Sequence, residues 1–306
     1  DATGNFVFTN GLADGRAYRV QSVTPAALRV VYNYLNTTSI TPLNTIIQVP
    51  SYQKTSTLVR YGYRSATPVD LTAKVIWDVN GNNSLTDSGV DQNLAGVKVN
   101  LVSGTTVLGT KTTDASGNVT FTDAEGLVAG QTYKLVVDKT ASGAIMTGLI
   151  ANVNQLNSSS QAPVDDEIII TTFANHDAAT FGYKSQDSNP GNDPKLTAYT
   201  HIDIATLNAY DATDIVKPGV SVRLIDTATN LVLQTGTTDA TGKFSFINGL
   251  AVGRAYKVEA TPVTGLDMVY NYVGTTQITP VAAIINVASY TAPETIVRYG
   301  YRSATP

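Results

Sequence analysis

The 306-residue chain has no cysteine, which excludes disulfides, thiolate metal sites and a cysteine nucleophile. Secreted domains often use disulfides, so an extracellular reading needs some other staple. Charge is scarce as well: Asp, Glu, Lys and Arg make up 14% of the residues, and the net charge is −4. That balance provides no basic stripe for nucleic acid or for an anionic membrane surface. No apolar run approaches ~18 residues, so no helical membrane span is encoded. An initiator methionine, a leader and a basic tail are all missing, which sets the expectation of a processed chain or a portion of a longer one.

Signatures of catalysis are missing too. No phosphate loop, nucleophile elbow or metalloprotease helix occurs. The two histidines, His176 and His201, sit in no nucleophile motif. His201-x-Asp203 offers two ligands, too few for a metal site. The expectation is a chain that is not an enzyme.

What the sequence does contain is repetition. Residues 1–68 and 239–306 align without a gap at an offset of 238, and 41 of the 68 positions are identical. Asp-Ala-Thr-Gly opens both stretches, and Tyr-Gly-Tyr-Arg-Ser-Ala-Thr-Pro closes both, at Tyr61–Pro68 and Tyr299–Pro306. A more diverged copy lies between them. Thr110–Val137 matches Gln234–Ala260, Asp70–Asp78 matches Lys195–Asp203, and Gly96–Val102 matches Gly219–Ile225. One unit therefore runs from a Leu-Thr-Ala start to a Gly-Tyr ending, about 120 residues. The division that follows is the back half of a unit at 1–68, a complete unit at 69–185 and a second complete unit at 186–306, with a Pro/Asn/Asp linker at 186–194. Two alternating unit types give the longer period, and a precursor carrying many such pairs is the natural expectation.

Within each unit the apolar pattern has period two, as in Lys98–Ser103, Asn118–Asp123, Ser221–Asp226 and Lys243–Asn248. Phe6 with Phe8, Val119 with Phe121 and Phe244 with Phe246 would each share one face of a strand. The Asp-Ala-[Ser/Thr]-Gly runs read as hairpin turns, with Gly accepting a positive φ. No segment carries a helical stripe over three turns. The fold class expected is all-β: tandem Ig-like antiparallel β-sandwiches. Short proline-bearing linkers predict a semi-rigid array.

These residues carry a family likeness. The middle unit resembles the B-type repeats of the serine-aspartate repeat surface adhesins of Gram-positive bacteria. The matching positions are Trp77, Asp78 and Asn80, then Gly96-Val97-Lys98-Val99, Thr113-Asp114, Gly117, Phe121, Leu127, Gly130, Tyr133 and Gly182-Tyr183. The match spans nearly all of 69–185 and is looser in 186–306. The resemblance implies a prealbumin-like sandwich serving as a stalk or spacer, often stiffened by calcium. The wall-anchoring and Ser-Asp segments of that family are not found in this sequence.

The stretch Trp77–Asp91 is the leading candidate site. Asp78, Asn80 and Asn82 occupy positions 1, 3 and 5 of a calcium-type loop, and the carbonyl of Ser84 falls at position 7. Asp87 and Asp91 would supply the remaining carboxylates. Position 6 is Asn83 where such loops have Gly, and the closing Glu is missing. The expected metal ligands are thus Asp78, Asn80, Asn82, Ser84, Asp87 and Asp91, and the expected cofactor is calcium. An Asn-rich solvated turn is the competing reading. The corresponding loop of the last unit, Asp203–Gly219, keeps Asp203 and Asp214 but loses both Asn positions. Asp165-Asp166-Glu167 is a further acidic cluster, read as a solvated loop entering a strand.

The functional expectation is a structural extracellular repeat protein forming a stalk, fibre or surface layer at the cell surface. Its partners would be neighbouring repeats or other subunits of a filament, with no nucleic acid and no membrane span. One alternative is an adhesin module gripping a host protein or a glycan through exposed loops or tyrosine faces. Another is an accessory module of a secreted enzyme.

Overall fold

In the computed structural model, residues 4–87, 90–186, 195–204 and 206–304 are described. Among them every long element is a β-strand. Helical turns are confined to Asp123–Glu125, Lys139–Ser142 and Gly143–Met146. The linker expected at 186–194 falls almost wholly outside the described residues.

The chain forms two compact units. The first comprises Asp1–Leu71, Phe121–Thr132 and Thr171–His176. Its strands make one antiparallel pair, Tyr18–Gln21 with Ile46–Val49, and one three-stranded sheet of Thr38–Ser39, Leu28–Leu35 and Val59–Ser65. Ile47 and Val49 are buried between them, but much of the apolar surface stays in contact with solvent. The loops are tied by polar contacts. The Asp70 N–H donates to Asn175 Oδ1 at 2.9 Å, and His176 Nδ1 lies 2.9 Å from the Asp70 carboxylate. The Arg29 guanidinium reaches to 3.6 Å from Asp123.

The second unit, Thr72–Thr120, Tyr133–Ile170 and Asp177–Pro306, holds the strands of two sandwiches. In the first of these, one sheet runs Asn118–Thr122, Asp70–Trp77, Asp177–Ser185, Leu149–Leu156, Ser159–Ser160, and the facing sheet runs Glu167–Ile170, Tyr133–Val137, Lys98–Ser103, Thr106–Thr112. The last sandwich repeats this plan. Its sheets run Ile215–Val216, Lys195–Ile202, Glu294–Ser303, Leu266–Val273, Thr276–Gln277 and Val232–Thr237, Ser221–Asp226, Tyr256–Ala260, Ile284–Val287, with Lys243–Phe246 also pairing Lys195–Ile202. Inward positions alternate as the sequence pattern requires. Ala73, Val75 and Trp77 are buried, as are Val99 with Leu101, Leu135 with Val137, and Ile168 with Ile170. At about 25 cal/mol per Å² of apolar surface, these inner faces are the main stabilising term in a chain without disulfides.

Two features depart from the sequence reading. First, the sheets are not antiparallel throughout. Lys195–Ile202 lies parallel to Glu294–Ser303, with Lys195 opposite Glu294 and Ile202 opposite Tyr301. Parallel neighbours need a long crossover, and here the whole body of the sandwich provides it. Second, the Asp-Ala-[Ser/Thr]-Gly runs at Asp114 and Asp239 are not hairpin turns, and the run at Asp1 falls almost wholly outside the described residues. Thr106–Thr112 and Asn118–Thr122 flank one of these turns yet belong to different sheets, as do Val232–Thr237 and Lys243–Phe246. The turn carries the chain from one sheet to the other. Its local chemistry is as expected: Asp114 Oδ1 accepts from the N–H groups of Ser116 and Asn118, and Gly117 has a φ of +74°. Only glycine fits there, because a Cβ on Gly117 would stand 2.6 Å from the Val75 carbonyl oxygen.

The Tyr-Gly-Tyr ending has an equally direct reason. A Cβ on Gly300 would come within 2.1 Å of the Tyr270 ring, so the glycine lets that ring lie flat across the last strand. Gly62 and Tyr32 repeat the arrangement at the same 2.1 Å.

Candidate metal loop and inter-sandwich joint

The loop from Asp78 to Asp91 begins where the first strand of the middle sandwich ends. Asp78 is fully buried, and its carboxylate organises the turn. Oδ1 accepts from the Gly81 and Asn82 N–H groups at 2.8 and 3.2 Å, and Oδ2 from the Asn83 N–H at 2.8 Å and Asn152 Nδ2 at 2.6 Å. A second hub is Asp87. Its Oδ2 accepts from Asn80 Nδ2 at 3.0 Å and Asn82 Nδ2 at 2.6 Å, and its Oδ1 from Ser84 Oγ at 3.1 Å. These three donors hold the Asp87 carboxyl below the ordinary carboxylate range. Asp91 Oδ2 accepts from the Asp87 N–H at 2.8 Å.

All six sequence-selected residues therefore belong to one connected loop. Five are joined through the Asp87 carboxylate and its backbone. Asp78 is tied to the remainder through the Asn82 N–H. The amide nitrogens of Asn80 and Asn82 face Asp87, while their oxygens accept from the N–H groups of Asn82 and Ser84 at 3.2 and 2.8 Å. Among the described residues no group of three or more His, Asp and Glu converges tightly enough to hold an ion. Spare acceptor capacity does exist. Asp91 Oδ1 and Asn152 Oδ1 are shielded from solvent with no donor in hydrogen-bond geometry. Burial pushes the Asp91 carboxyl upward, and the Asp78 and Asp87 charges add to the shift. Asn152, from the strand Leu149–Leu156, is a member of this site that the sequence pattern did not reveal.

The matching loop of the last sandwich answers its charge differently. Asp203 Oδ2 accepts from the Asn208 N–H at 2.8 Å and pairs with Arg302, which stands where the middle unit has Lys184. Asp214 Oδ2 accepts from the Tyr270 hydroxyl at 2.7 Å, and Oδ1 from the Ile204 N–H at 3.2 Å. A guanidinium and a phenol thus take up the charge here. Beside them, His201 is buried, its ring 5.1 Å from Tyr210 and 6.1 Å from Tyr199. Burial lowers its pKa from the ordinary value, the Arg298 guanidinium adds to that, and Asp214 opposes it.

The other candidates are structural. Asp166 accepts from the buried Tyr183 hydroxyl at 2.9 Å, and Glu167 pairs with Lys134 at 2.8 Å, so this acidic cluster anchors a strand. His176 meets Asp70 and Asn175. Tyr183, Tyr256, Tyr270, Tyr290, Tyr299 and Tyr301 are core residues and present no glycan-stacking face.

One functional residue escaped the sequence reading altogether. Arg254 belongs to the last sandwich and is 2% exposed. Its Nε donates to Asp226 Oδ1 at 2.6 Å and its Nη2 to Asp226 Oδ2 at 3.1 Å, a bidentate pair inside the same sandwich. Its Nη1 donates to carbonyls of the middle sandwich: Thr147 at 2.8 Å, Ile145 at 3.0 Å and Ala144 at 3.3 Å. The guanidinium lies 4.7 Å from the centre of the Trp77 ring. Nearby, the Gly249 N–H donates to the Val79 carbonyl at 3.0 Å, and a Cβ on Gly148 would stand 2.6 Å from the Ala251 Cβ. The segment Gly249–Tyr256 is thus the plug of a joint between two sandwiches. The signal was in the repeats: Gly-Leu-Ala-x-Gly-Arg-Ala-Tyr recurs at Gly11–Tyr18, whereas the middle unit has Gln131 at the arginine position.

No family model matches the chain, and no curated protein does. Similar solved structures include the shaft pilin SpaA from Lactobacillus rhamnosus GG, at 14% identity over 78% of this chain and 100% of that one, with a TM-score of 0.29. The major pilin from Streptococcus pyogenes matches at 8% identity over 77% of this chain and 98% of that one, with a TM-score of 0.27. The Bacillus anthracis TIE protein matches at 10% identity over 94% of this chain and 51% of that one, with a TM-score of 0.28. Scores this low set no functional expectation. The all-β architecture stands on the chain's own strand pairing.

Proposed function

We propose that the chain is a non-enzymatic structural module of an extracellular tandem-repeat protein, a stalk, fibre or surface-layer spacer. The observation that carries this reading is the Arg254 joint. A spacer must pass orientation from one domain to the next. A guanidinium that is fully hydrogen-bonded, with its counter-ion in one sandwich and its carbonyl acceptors in the other, permits few relative orientations. Tilting the joint would strand a buried charge or buried carbonyls, at about 1–3 kcal/mol for each unmade bond. The 238-residue repeat adds that the same plug sequence occurs twice. Repeat arrays tolerate changes in length because each unit contacts only its neighbours.

The test is the intact mass of the native protein under fully denaturing conditions. A mass far above 32.3 kDa, or a ladder spaced by one 238-residue period, is expected. A single species at 32.3 kDa removes the covalent-array reading.

Calcium stiffening belongs to the same reading. The Asp78–Asp91 loop would take the ion through Asp87, Asp91 and the amide oxygens of Asn80 and Asn82, after those two amides turn over. The support is the pair of shielded, donor-free oxygens on Asp91 and Asn152. Calcium at a hundred times its dissociation constant should stabilise the middle sandwich by about 2.7 kcal/mol. The shift should vanish with EDTA and in Asp87→Ala. An identical unfolding curve with and without calcium would leave a solvated, Asn-capped turn.

A further inference from the structure

The two complete sandwiches differ at one connection. In the middle unit, residues 138–148 join Tyr133–Val137 to Leu149–Leu156 and carry the helical turns Lys139–Ser142 and Gly143–Met146. The same connection in the last unit is the short turn 261–265, which has no helical turn. The insert is anchored to its own sandwich. Asp138 Oδ1 accepts from the Ala141 N–H at 2.8 Å, Ser142 Oγ accepts from the Lys98 N–H at 2.9 Å, and the Lys139 ammonium donates to the Leu149 carbonyl at 2.6 Å. Met146 is buried. Ile145 Cδ1 lies 2.7 Å from where a Cβ on Gly96 would stand, whereas the equivalent Gly219 faces open space. Carbonyls at the C-terminal end of a helical turn are short of intrahelical donors and favour a cation. Here Arg254 Nη1 donates to those of Ala144, Ile145 and Thr147. The arginine changes together with its counter-ion. Where the last unit has Asp226 and Arg254, the middle unit has Ser103 and Gln131, and where the middle unit has Trp77, the last has Ile202. The unit with the insert therefore lacks the ion pair, and the unit with the ion pair lacks the insert.

We infer that the insert 138–148 is a receptor for an arginine-bearing sandwich, and that the insert and the Asp226–Arg254 pair together fix which type of unit follows which. Two middle-type units would set a neutral glutamine against the insert's carbonyls. Two last-type units would bury the Arg254 Nη1 N–H groups without acceptors, which folded proteins avoid. Only an arginine plug in an insert-bearing socket satisfies both sides. Asp226 neutralises the guanidinium within its own unit, so the plug enters the joint as a hydrogen-bonding fork and brings no net charge. Lysine cannot replace it, because a compact ammonium has no planar fork to divide between a carboxylate and carbonyls on its far side. The inference deepens the spacer reading and rests on it, adding the choice of neighbour to a fixed orientation.

The test places two spin labels on the full chain, at Ala115→Cys and Ala240→Cys, exposed and equivalent turn positions of the two sandwiches in a chain with no native cysteine. Their distance distribution, read by double electron–electron resonance, should be one narrow peak in this labelled parent. Asp226→Ser/Arg254→Gln gives the last sandwich the pair with which the middle one folds. It should lose the narrow peak to a broad distribution while its circular dichroism stays that of the parent. Arg254→Lys keeps a charge beside Asp226 and should broaden the distribution as well. Replacing residues 138–148 by the sequence of 261–265 should broaden it with Asp226 and Arg254 intact, and adding the double swap to that chain should change nothing more. If the swap does not fold, Arg254→Lys decides. A narrow peak retained in the swap, in Arg254→Lys or without the insert would overturn the inference and leave the fixed joint of the spacer reading in place. A broad distribution in the parent would overturn both.

Discussion

Two copies of one 68-residue repeat, identical at 41 positions, occur in this molecule in two different environments. In both copies the strands fall at positions 238 apart: Leu28–Leu35 matches Leu266–Val273, and Ile46–Val49 matches Ile284–Val287. Tyr61 and Tyr299 each donate to the carbonyl of the equivalent valine, Val20 and Val258, at 2.5 and 2.7 Å. Tyr18 and Tyr256 both cap the Gly-Leu-Ala turn, donating to Gly11 and Gly249 and accepting from Ala13 and Ala251. Burial, however, diverges. Phe246, Tyr270 and Arg254 are inside; Phe8, Tyr32 and Arg16 are outside. Local sequence is enough to place strands and turns, whereas the neighbouring strands and the neighbouring sandwich decide which side chains count energetically.

Paired substitutions turn that comparison into measurements. The largest contrast is expected at the phenylalanines. Phe246→Ala should cost about 3–5 kcal/mol by denaturant unfolding, from lost burial and a residual cavity. Phe8→Ala should stay within about 0.5 kcal/mol, as an exposed site does.

The arginines come next. Arg254→Met leaves Asp226 buried without its counter-ion and removes the guanidinium donor from the Thr147, Ile145 and Ala144 carbonyls of the middle sandwich, so a loss of about 3 kcal/mol or more is expected. Calorimetry of the full chain should also show the middle and last sandwiches beginning to unfold separately. Arg16→Met should leave the calorimetric trace unchanged. Equal effects at positions 16 and 254 would mean that the joint is not where the energy lies.

A smaller contrast is expected at the tyrosines. Tyr270→Phe removes the donor to the buried Asp214 and should cost about 1–3 kcal/mol. Among the described residues the Tyr32 hydroxyl has no such partner, and Tyr32→Phe should be silent in the same thermal melt.

The smallest effect is a pH dependence confined to the last copy. It arises at His201, in the strand Lys195–Ile202. The His201 pKa is depressed in the folded protein, so below the ordinary value of 6.5 the unfolded chain binds a proton that the native one resists. Stability should therefore fall as pH drops from 6.5 until the depressed folded-state pKa is passed, and His201→Phe should flatten that slope. The middle sandwich has Ile76 at this position and should show no such step.

Much of the architecture was legible because strands leave a period-two pattern and repeats expose their boundaries. Val99 with Leu101, and Tyr133 with Leu135 and Val137, alternate inward as the pattern demands. The hydrogen-bonded cluster of the loop proposed for calcium was legible, since Asp78, Asn80, Asn82, Ser84, Asp87 and Asp91 lie close together in sequence. Asn152 was not, because it comes from a strand 74 residues from Asp78. The Asp-Ala-[Ser/Thr]-Gly turns were misread as hairpins because turn chemistry is local, whereas the choice of sheet depends on partners far along the chain.

Sequence by itself determined the repeat, the all-β class, the strand positions, the turn glycines and the absence of disulfides. Each of these follows from residue identity or from short-range sterics. Tertiary structure alone decided that Lys195–Ile202 runs parallel to Glu294–Ser303, that Arg302 and Tyr270 take up the charges of Asp203 and Asp214, and that Arg254 plugs a joint while Arg16 faces solvent. Those outcomes depend on which surfaces meet, and an arginine in an apolar loop becomes a buried ion pair only when a second sandwich supplies the carbonyls that complete its shell.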